Sequence, residues 1–532
     1  NGRPKIGANF FLRQLQLVTD GSRLYFSEFA GGRHILAQVS ATGGEAVIIQ
    51  TPFPNVHVLD ISPNNSEILV LSRVINELEC PIWILPVLGG SPRRLGEVMG
   101  HSAAWSPDGR QIAFANGFDL YLVMKDGAEP RKLRTVDGLP FSLRWSPDGS
   151  RLRFTVSPNP AVSSLWEVAA DGSNLHPLLP GWNNPQTECC GNWTADGKYY
   201  VFQATRDRST QIWALREPGG LFSRASHVPA QLTSGPMGFR HPVPSADGSK
   251  IFAIGGNRRG ELVRFDSKTQ HFVPYFSDLS AEHLDFSKDG EWVTYITYPE
   301  FDLWRSRVDG TERRQLSFAP QRAFLPRWSP DGKRIAFIGG FPGKMWKVHL
   351  VQSEGGTPQQ LMPEDRYELD PNWAPDGNTL VFESIIAGAR TIHLLDLRTG
   401  QVSLLPGSEG LHSPRWSPDG RYIAAMPIDA HKLLLFDFMT RQWTELAKMN
   451  VAWPHWSRDS KYIYFTSPLQ KDPAIFRLRV VDRNIERLAS LKDLRLGAGI
   501  FGGWMGLTPD ESPLVLRDVG VQDIYALEWK AP

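Results

Sequence analysis

The stretch WSPDGKRIAFIGG, Trp328 to Gly340, decides how this chain is read. In Ser329-Pro330-Asp331-Gly332, proline presets the backbone for the first corner of a tight turn. Aspartate can bond the backbone beyond it, and glycine accepts the positive φ that ends it. The run from Arg334 to Ile338 is β-branched and aromatic, hence strand-like. A strand buried on both faces need not alternate cleanly between apolar and polar. The stretch therefore spells strand, turn, strand.

The same phrase returns along the whole chain. WSPDG stands intact at Trp105, Trp145, Trp328 and Trp416, and close variants begin at Trp193, Pro244, Phe286, Trp373 and Trp456. Weaker copies begin at Val18, Ile61 and Leu507. The aligned Asp or Asn positions run from Asp20 to Asp510 at intervals of 40 to 51 residues, a period that fits four-stranded propeller blades. About twenty residues after each turn comes a second hairpin, as in WILPVLGGSPRRL (83–95) and HLLDLRTGQVSLL (393–405). Each repeat is thus two hairpins, and no segment between them has convincing helical periodicity. The expected fold is all-β: a β-propeller protein of about twelve four-stranded blades. Twelve exceeds the usual number in one ring, so two six-bladed propellers in tandem are expected, residues 1–278 and 279–532, with seven plus five or five plus seven as alternatives. The last repeat supplies three strands and then stops, so its fourth is expected from residues at or before Asn1.

Composition agrees. Eighteen Trp, 48 Gly and 41 Pro suit a protein of many turns and buried aromatics. With 57 basic against 56 acidic residues, the net charge of +1 gives no phosphate-neutralising surface, so no nucleic-acid partner is expected. No run of 18 apolar residues marks a membrane span. The chain opens at Asn1 without a signal peptide, which reads as a processed or truncated piece.

In a propeller the first strand of each blade lines the central channel. The residues three to five places before the turn-strand Trp are therefore the candidates for ligand binding. In the first half these are His57, His101, Cys189, Cys190, Arg240 and His241; in the second, Glu282, His283, Asp370 and His412. Glu368, Trp453 and Trp504 share that neighbourhood. Polar side chains there also serve simply to face channel water. His57, His101 and His241 could form a metal site, though such sets are usually accidental. The repeated Trp residues read as packing between neighbouring blades, and the turn acids as structural.

Adjacent Cys189 and Cys190 are a poor chelate for zinc, which prefers two to four residues between its cysteines. They read either as two small buried thiols or as a vicinal disulfide. Cys80 reads as a free buried thiol. There is no G-x-S-x-G elbow, no H-E-x-x-H and no P-loop, so the chain is expected not to be an enzyme and to need no cofactor. The alternative is a hydrolase or lyase centred on a channel, possibly around Ca²⁺, with Glu282, His283, Asp370 and His412 converging on it. A pure scaffold for protein contacts is the third reading.

The W-S-P-D-G turn followed by an I-A-F strand resembles the TolB-like branch of WD40-type propellers, over about Leu15 to Trp529. The stretches 175–206, 260–277 and 393–420 resemble the C-terminal, extracytoplasmic propeller region of bacterial regulators that also carry a winged helix and a transmembrane helix. The opening NGRPKIG is similar to the segment following a QLT-type strand there. That resemblance implies a non-catalytic sensing or binding module in the periplasm, recognising a protein, a peptide or a small ligand at a propeller mouth.

Overall fold

In a computed structural model, residues 16–30, 33–72, 78–159, 162–218, 228–341, 344–363, 366–386, 388–468 and 472–532 are described. Among them there is no helix, and almost every strand belongs to a four-stranded antiparallel sheet. The fold is a β-propeller fold.

Why the repeated phrase builds a sheet is visible at Trp105–Asn116. Ser106 Oγ donates to Asp108 Oδ1 at 2.6 Å and accepts from Gln111 N at 3.0 Å. Gly109 N donates back to Ser106 O at 2.9 Å, with Gly109 at φ +67°. The buried serine locks the turn from inside, and the same Ser/Thr–Asp bond recurs at Asp148, Asp196, Asp247, Asp289, Asp331, Asp419 and Asp459.

The strand after the turn is buried on both faces, which explains its I-A-F pattern. Ile112 and Phe114 pack against Leu69, Ile82 and Ile84 of the preceding sheet, while Ala113 and Ala115 meet Leu143 and Phe154 of the following one. Large side chains fill one gap and small ones admit the neighbour on the other. Burying each Ile or Phe contributes about 1.5–3 kcal/mol, so these gaps are the core.

The chain divides into two compact units. Of the described residues, the first comprises Gln16 to Asn257 together with Val521–Pro532; the second comprises Arg258 to Gly520. In the first, the inner strands Leu17–Thr19, Val56–Ile61, Ser102–Trp105, Leu139–Trp145, Cys189–Trp193 and Gly238–Pro244 pack each on the next, and the last packs on the first. In the second, Ala281–Phe286, Arg322–Trp328, Tyr367–Trp373, Leu411–Trp416, Ala452–Trp456 and Met505–Leu507 do the same.

The division expected at 278/279 is corrected. The chain leaves the first unit at 257/258, in the middle of its sixth repeat, and returns at 520/521. The hairpin Gly260–Asp266 and His271–Pro274, second half of repeat six in sequence, pairs instead with Pro513–Asp518. Val521–Glu528, third strand of the last repeat in sequence, pairs with Lys250–Asn257 in the first unit. The two repeats have exchanged their second halves, which is possible because every half presents the same kind of strand edge. The strand expected from residues at or before Asn1 lies outside the described residues.

Candidate functional site

The inner strands share a device that positions side chains. Six residues before the turn Asp, the register slips and a non-glycine residue takes a left-handed conformation. In the first unit these are Ser142, Cys190 and His241; in the second, His283, Leu325, Asp370, Ser413 and Trp453 (φ 50–62°). Such a bulge re-aims its own side chain and the one two residues later. Positive φ costs energy for a residue with a Cβ and persists only where its surroundings enforce it. Recurrence in eight sheets makes the bulge architectural; the side chains it carries decide the chemistry.

In the first unit, Gln16, Ser142, Arg144, Cys190, Asn192 and His241 line a pocket of about 230 Å³, part of it open to solvent. Arg144 Nε donates to Asn192 Oδ1 at 2.5 Å, and Nη1 to the carbonyls of Leu143 at 2.8 Å and Leu59 at 3.4 Å. Asn192 is held in turn by Pro242 O at 2.8 Å. Nη2 of Arg144 has no hydrogen-bond partner among the described residues. The neighbouring carboxyl of Asp60 is pushed up by burial, against the pull of Arg144, and accepts from Trp105 N at 2.8 Å. His241 is buried; desolvation, then the charges of Arg240 and Arg144, hold it down to about 3, so its ring is neutral at pH 7. The pocket thus offers one fixed cation among neutral polar groups.

Cys189 and Cys190 are bridged to each other, which decides between the two readings of the pair. Cys190 N donates to Thr155 Oγ1 at 3.1 Å. The glycine that follows is obligatory: a Cβ on Gly191 would overlap the Tyr200 ring.

The other first-half candidates do not join the pocket. His101 is consumed by structure, Nδ1 lying 2.9 Å from Glu79 Oε1 and Nε2 2.7 Å from Pro140 O. His57 is buried with its ring 4.3 Å from that of His34. Arg240 is half-buried beside His241. Cys189 does not line the pocket and is buried with Cys190 in a small cluster with Leu139 and Phe141.

In the second unit the bulges gather a buried polar centre. His283 is 1% exposed, and its ring faces Trp453, Phe501 and Trp504 at centroid distances of 5.3, 6.1 and 6.4 Å. Burial, then the charge of Arg327, holds it down to about 3, against the pull of Asp370. Asp370 pairs with Arg415 at 2.7 Å, and Arg415 Nη1 also donates to Pro414 O at 2.9 Å. Asp285 Oδ2 accepts from Trp328 N at 2.7 Å, which straps one sheet to the next; burial pushes this carboxyl up. His455 Nε2 lies 2.9 Å from Met505 O. Glu282 is buried against Gly499, where a Cβ would collide with its carboxylate. His412 is half-buried, 3.2 Å from Pro427 O, and burial holds it down to about 4. Glu368 is taken by buried Lys347. Among the described residues no three His, Cys, Asp or Glu side chains are grouped to hold a metal ion, so Glu282, His283, Asp370 and His412 do not converge as one ligand set, nor do His57, His101 and His241.

Sequence reasoning missed Arg144, Asn192, Asp285, Arg327, Arg415 and His455. The signal was present. Each stands immediately before the turn-strand aromatic, where R, N, D, R, R and H recur while the aromatic itself turns between sheets. The Trp residues do pack there: Trp328, Trp373 and Trp456 donate their indole N–H to backbone carbonyls of the preceding sheet at 3.0–3.1 Å.

Residues 284–450 match the family model for the TolB β-propeller domain. Over those residues this chain is similar to a TolB β-propeller domain. It is 24% identical over 312 residues to an uncharacterized protein of Agrobacterium fabrum, Atu1656, across 53% of this chain and 99% of that protein. It is 24% identical over 202 residues to the uncharacterized peptidase YuxL of Bacillus subtilis, and 22% over 378 residues to Dipeptidyl-peptidase 5 of Porphyromonas gingivalis. Those alignments cover 36% and 64% of this chain but only 28% and 46% of the two peptidases. A TolB-named structure from Agrobacterium tumefaciens is 20% identical, with a TM-score of 0.41, over 50% of this chain and all of that one. The peptidase-named relatives overturn the expectation that the chain is not an enzyme. That expectation rested on missing motifs, and a motif search does not register chemistry assembled from residues far apart in sequence. No helix among the described residues is long and apolar enough to cross a membrane.

Proposed function

We propose that this chain is a peptide-recognition propeller, whose first unit takes a peptide's terminal carboxylate in the pocket formed by Ser142, Arg144, Asn192 and His241. The observation that carries this reading is Arg144: three contacts fix its guanidinium, and one nitrogen is left over in a residue that lines the pocket. A planar cation held in place recognises a carboxylate at little further entropic cost. The names of the peptidase relatives favour a peptide as the occupant, and with it a role in peptide hydrolysis. The Cys189–Cys190 bridge favours an oxidising, extracytoplasmic compartment.

The test is calorimetric titration of the full chain with short peptides bearing a free C-terminal carboxylate, and with the same peptides amidated. Free acids should bind roughly tenfold tighter or better, and Arg144→Gln should abolish the difference. Equal affinity for acid and amide in the wild type would overturn the reading. Mass spectrometry of the same mixtures after incubation reads cleavage directly.

A further inference from the structure

The centre of the second unit holds buried polar groups for which the protein itself supplies no hydrogen-bond partner among the described residues. Arg415 is 3% exposed and His283 1%. Among the described residues, Nε and Nη2 of Arg415 and both ring nitrogens of His283 have no hydrogen-bond partner. Buried donors are almost always satisfied, and exceptions point to a group outside the chain. Nη1 of Arg415 is committed to Asp370 and Pro414. What remains is the side-on edge of the guanidinium, Nε with Nη2, whose two parallel N–H groups match the two oxygens of a carboxylate.

A second observation agrees independently. His283 occupies the bulge position of its strand and Arg415 the position two residues past a bulge. In the first unit, the same two positions supply Ser142, Cys190 and His241, and Arg144 and Asn192, to the pocket. The fold therefore aims His283 and Arg415 toward the corresponding place in the second unit.

We propose that the second unit binds a small monocarboxylate on the Nε–Nη2 edge of Arg415, beside His283. Charge favours one negative charge over two. The buried cations Arg327 and Arg415 face Asp370 and Asp285, and His283 and His455 are neutral. Burial pushes the Asp285 carboxyl up, while the charges of Arg415 and Arg327 hold Asp370 down against its own burial, so a single added negative charge is accommodated more readily than two. Trp453, Phe501 and Trp504 around His283 would cover the apolar end of such an acid.

The probe is acetate, titrated into the full chain at constant ionic strength, with binding read by saturation-transfer NMR on its methyl group and by thermal shift. Saturable binding of acetate is expected, weakened roughly tenfold or more in Arg415→Lys, which keeps the charge but lacks the two-pronged edge. His283→Gln, read by the same NMR signal on whatever folded protein is obtained, should also weaken it. The proposal is overturned if acetate shows no saturable binding. It is equally overturned if phosphate or chloride binds as well as acetate, or if Arg415→Lys binds acetate like the wild type. The Arg415-dependent part of the acetate signal should persist in Arg144→Gln, which separates this site from the peptide pocket.

Discussion

Glu188→Gln should reverse part of the protein's pH dependence of stability. Glu188 is 1% exposed, directly precedes the Cys189–Cys190 bridge, and its Oε1 has no partner among the described residues. Burial pushes its carboxyl from 4.5 up to about 7; the nearest opposing charge is Arg206, which lies over Trp182 at 3.9 Å and donates to its carbonyl. Between these two values the unfolded chain has lost the proton that the folded chain retains. Glu188 therefore lowers stability as pH rises through that window, and its full cost is present above pH 7. The shift corresponds to about 3 kcal/mol, since one pKa unit is about 1.4 kcal/mol. Glutamine keeps the shape and never ionises. The variant should match the wild type near pH 5 and exceed it near pH 8 by up to about 3 kcal/mol, or about 6–12 °C in Tm for a unit of this size. Thermal unfolding of both proteins from pH 5 to 8 measures it, and the difference cancels every other titrating group. Parallel curves, with a gap that does not change with pH, would refute a buried, unpaired Glu188.

Two further outcomes follow from the chain's covalent and strand connections. In denaturant without reductant, thiol titration should find one group, Cys80, and after reduction three; three before reduction would remove the bridge. Truncation after Gly520 removes the third strand of the sheet built on Gly238–Pro244, and with it the Trp529–Tyr199 ring contact at 5.3 Å. It should lower the melting of the first unit and leave the second unit's transition in place, read by calorimetry; a single unchanged transition would refute the division.

What was legible in the sequence was what is local. The Ser–Asp–Gly turn is a closed set of bonds within six residues, so each copy announces itself, and the I-A-F strand carries the asymmetry of its two gaps in side-chain size. The turn aromatic could be assigned to packing because its place never varies. The bulges were not legible. Left-handed backbone at Leu325, Ser413 and Trp453 falls on residues that do not favour it, enforced by the ring rather than by local chemistry. For that reason sequence pointed to Cys190, His241, His283 and Asp370 but not to Arg144 or Arg415, which the same bulge aims inward two residues later.

The exchange between repeats six and twelve was illegible for a deeper reason, and it bears on stability. Every repeat offers two hairpins, and nothing in a hairpin says which partner edge it will meet. In the structure, the second unit's opening hairpin, Gly260–Pro274, shares a sheet with its closing strands Met505–Leu507 and Pro513–Asp518. The first unit's sixth sheet is likewise completed by Val521–Glu528. In each unit the late chain segment is knitted by backbone hydrogen bonds to a segment 250 to 278 residues earlier. A ring closed only by face-to-face packing between first and last sheets could part there and expose strand edges. Pairing distant segments inside one sheet puts ladder hydrogen bonds across that seam. It makes closure of each unit depend on the arrival of its own last strands, so Val521–Glu528 matters to the first unit, and Met505–Leu507 with Pro513–Asp518 to the second, far more than a late position in the chain suggests.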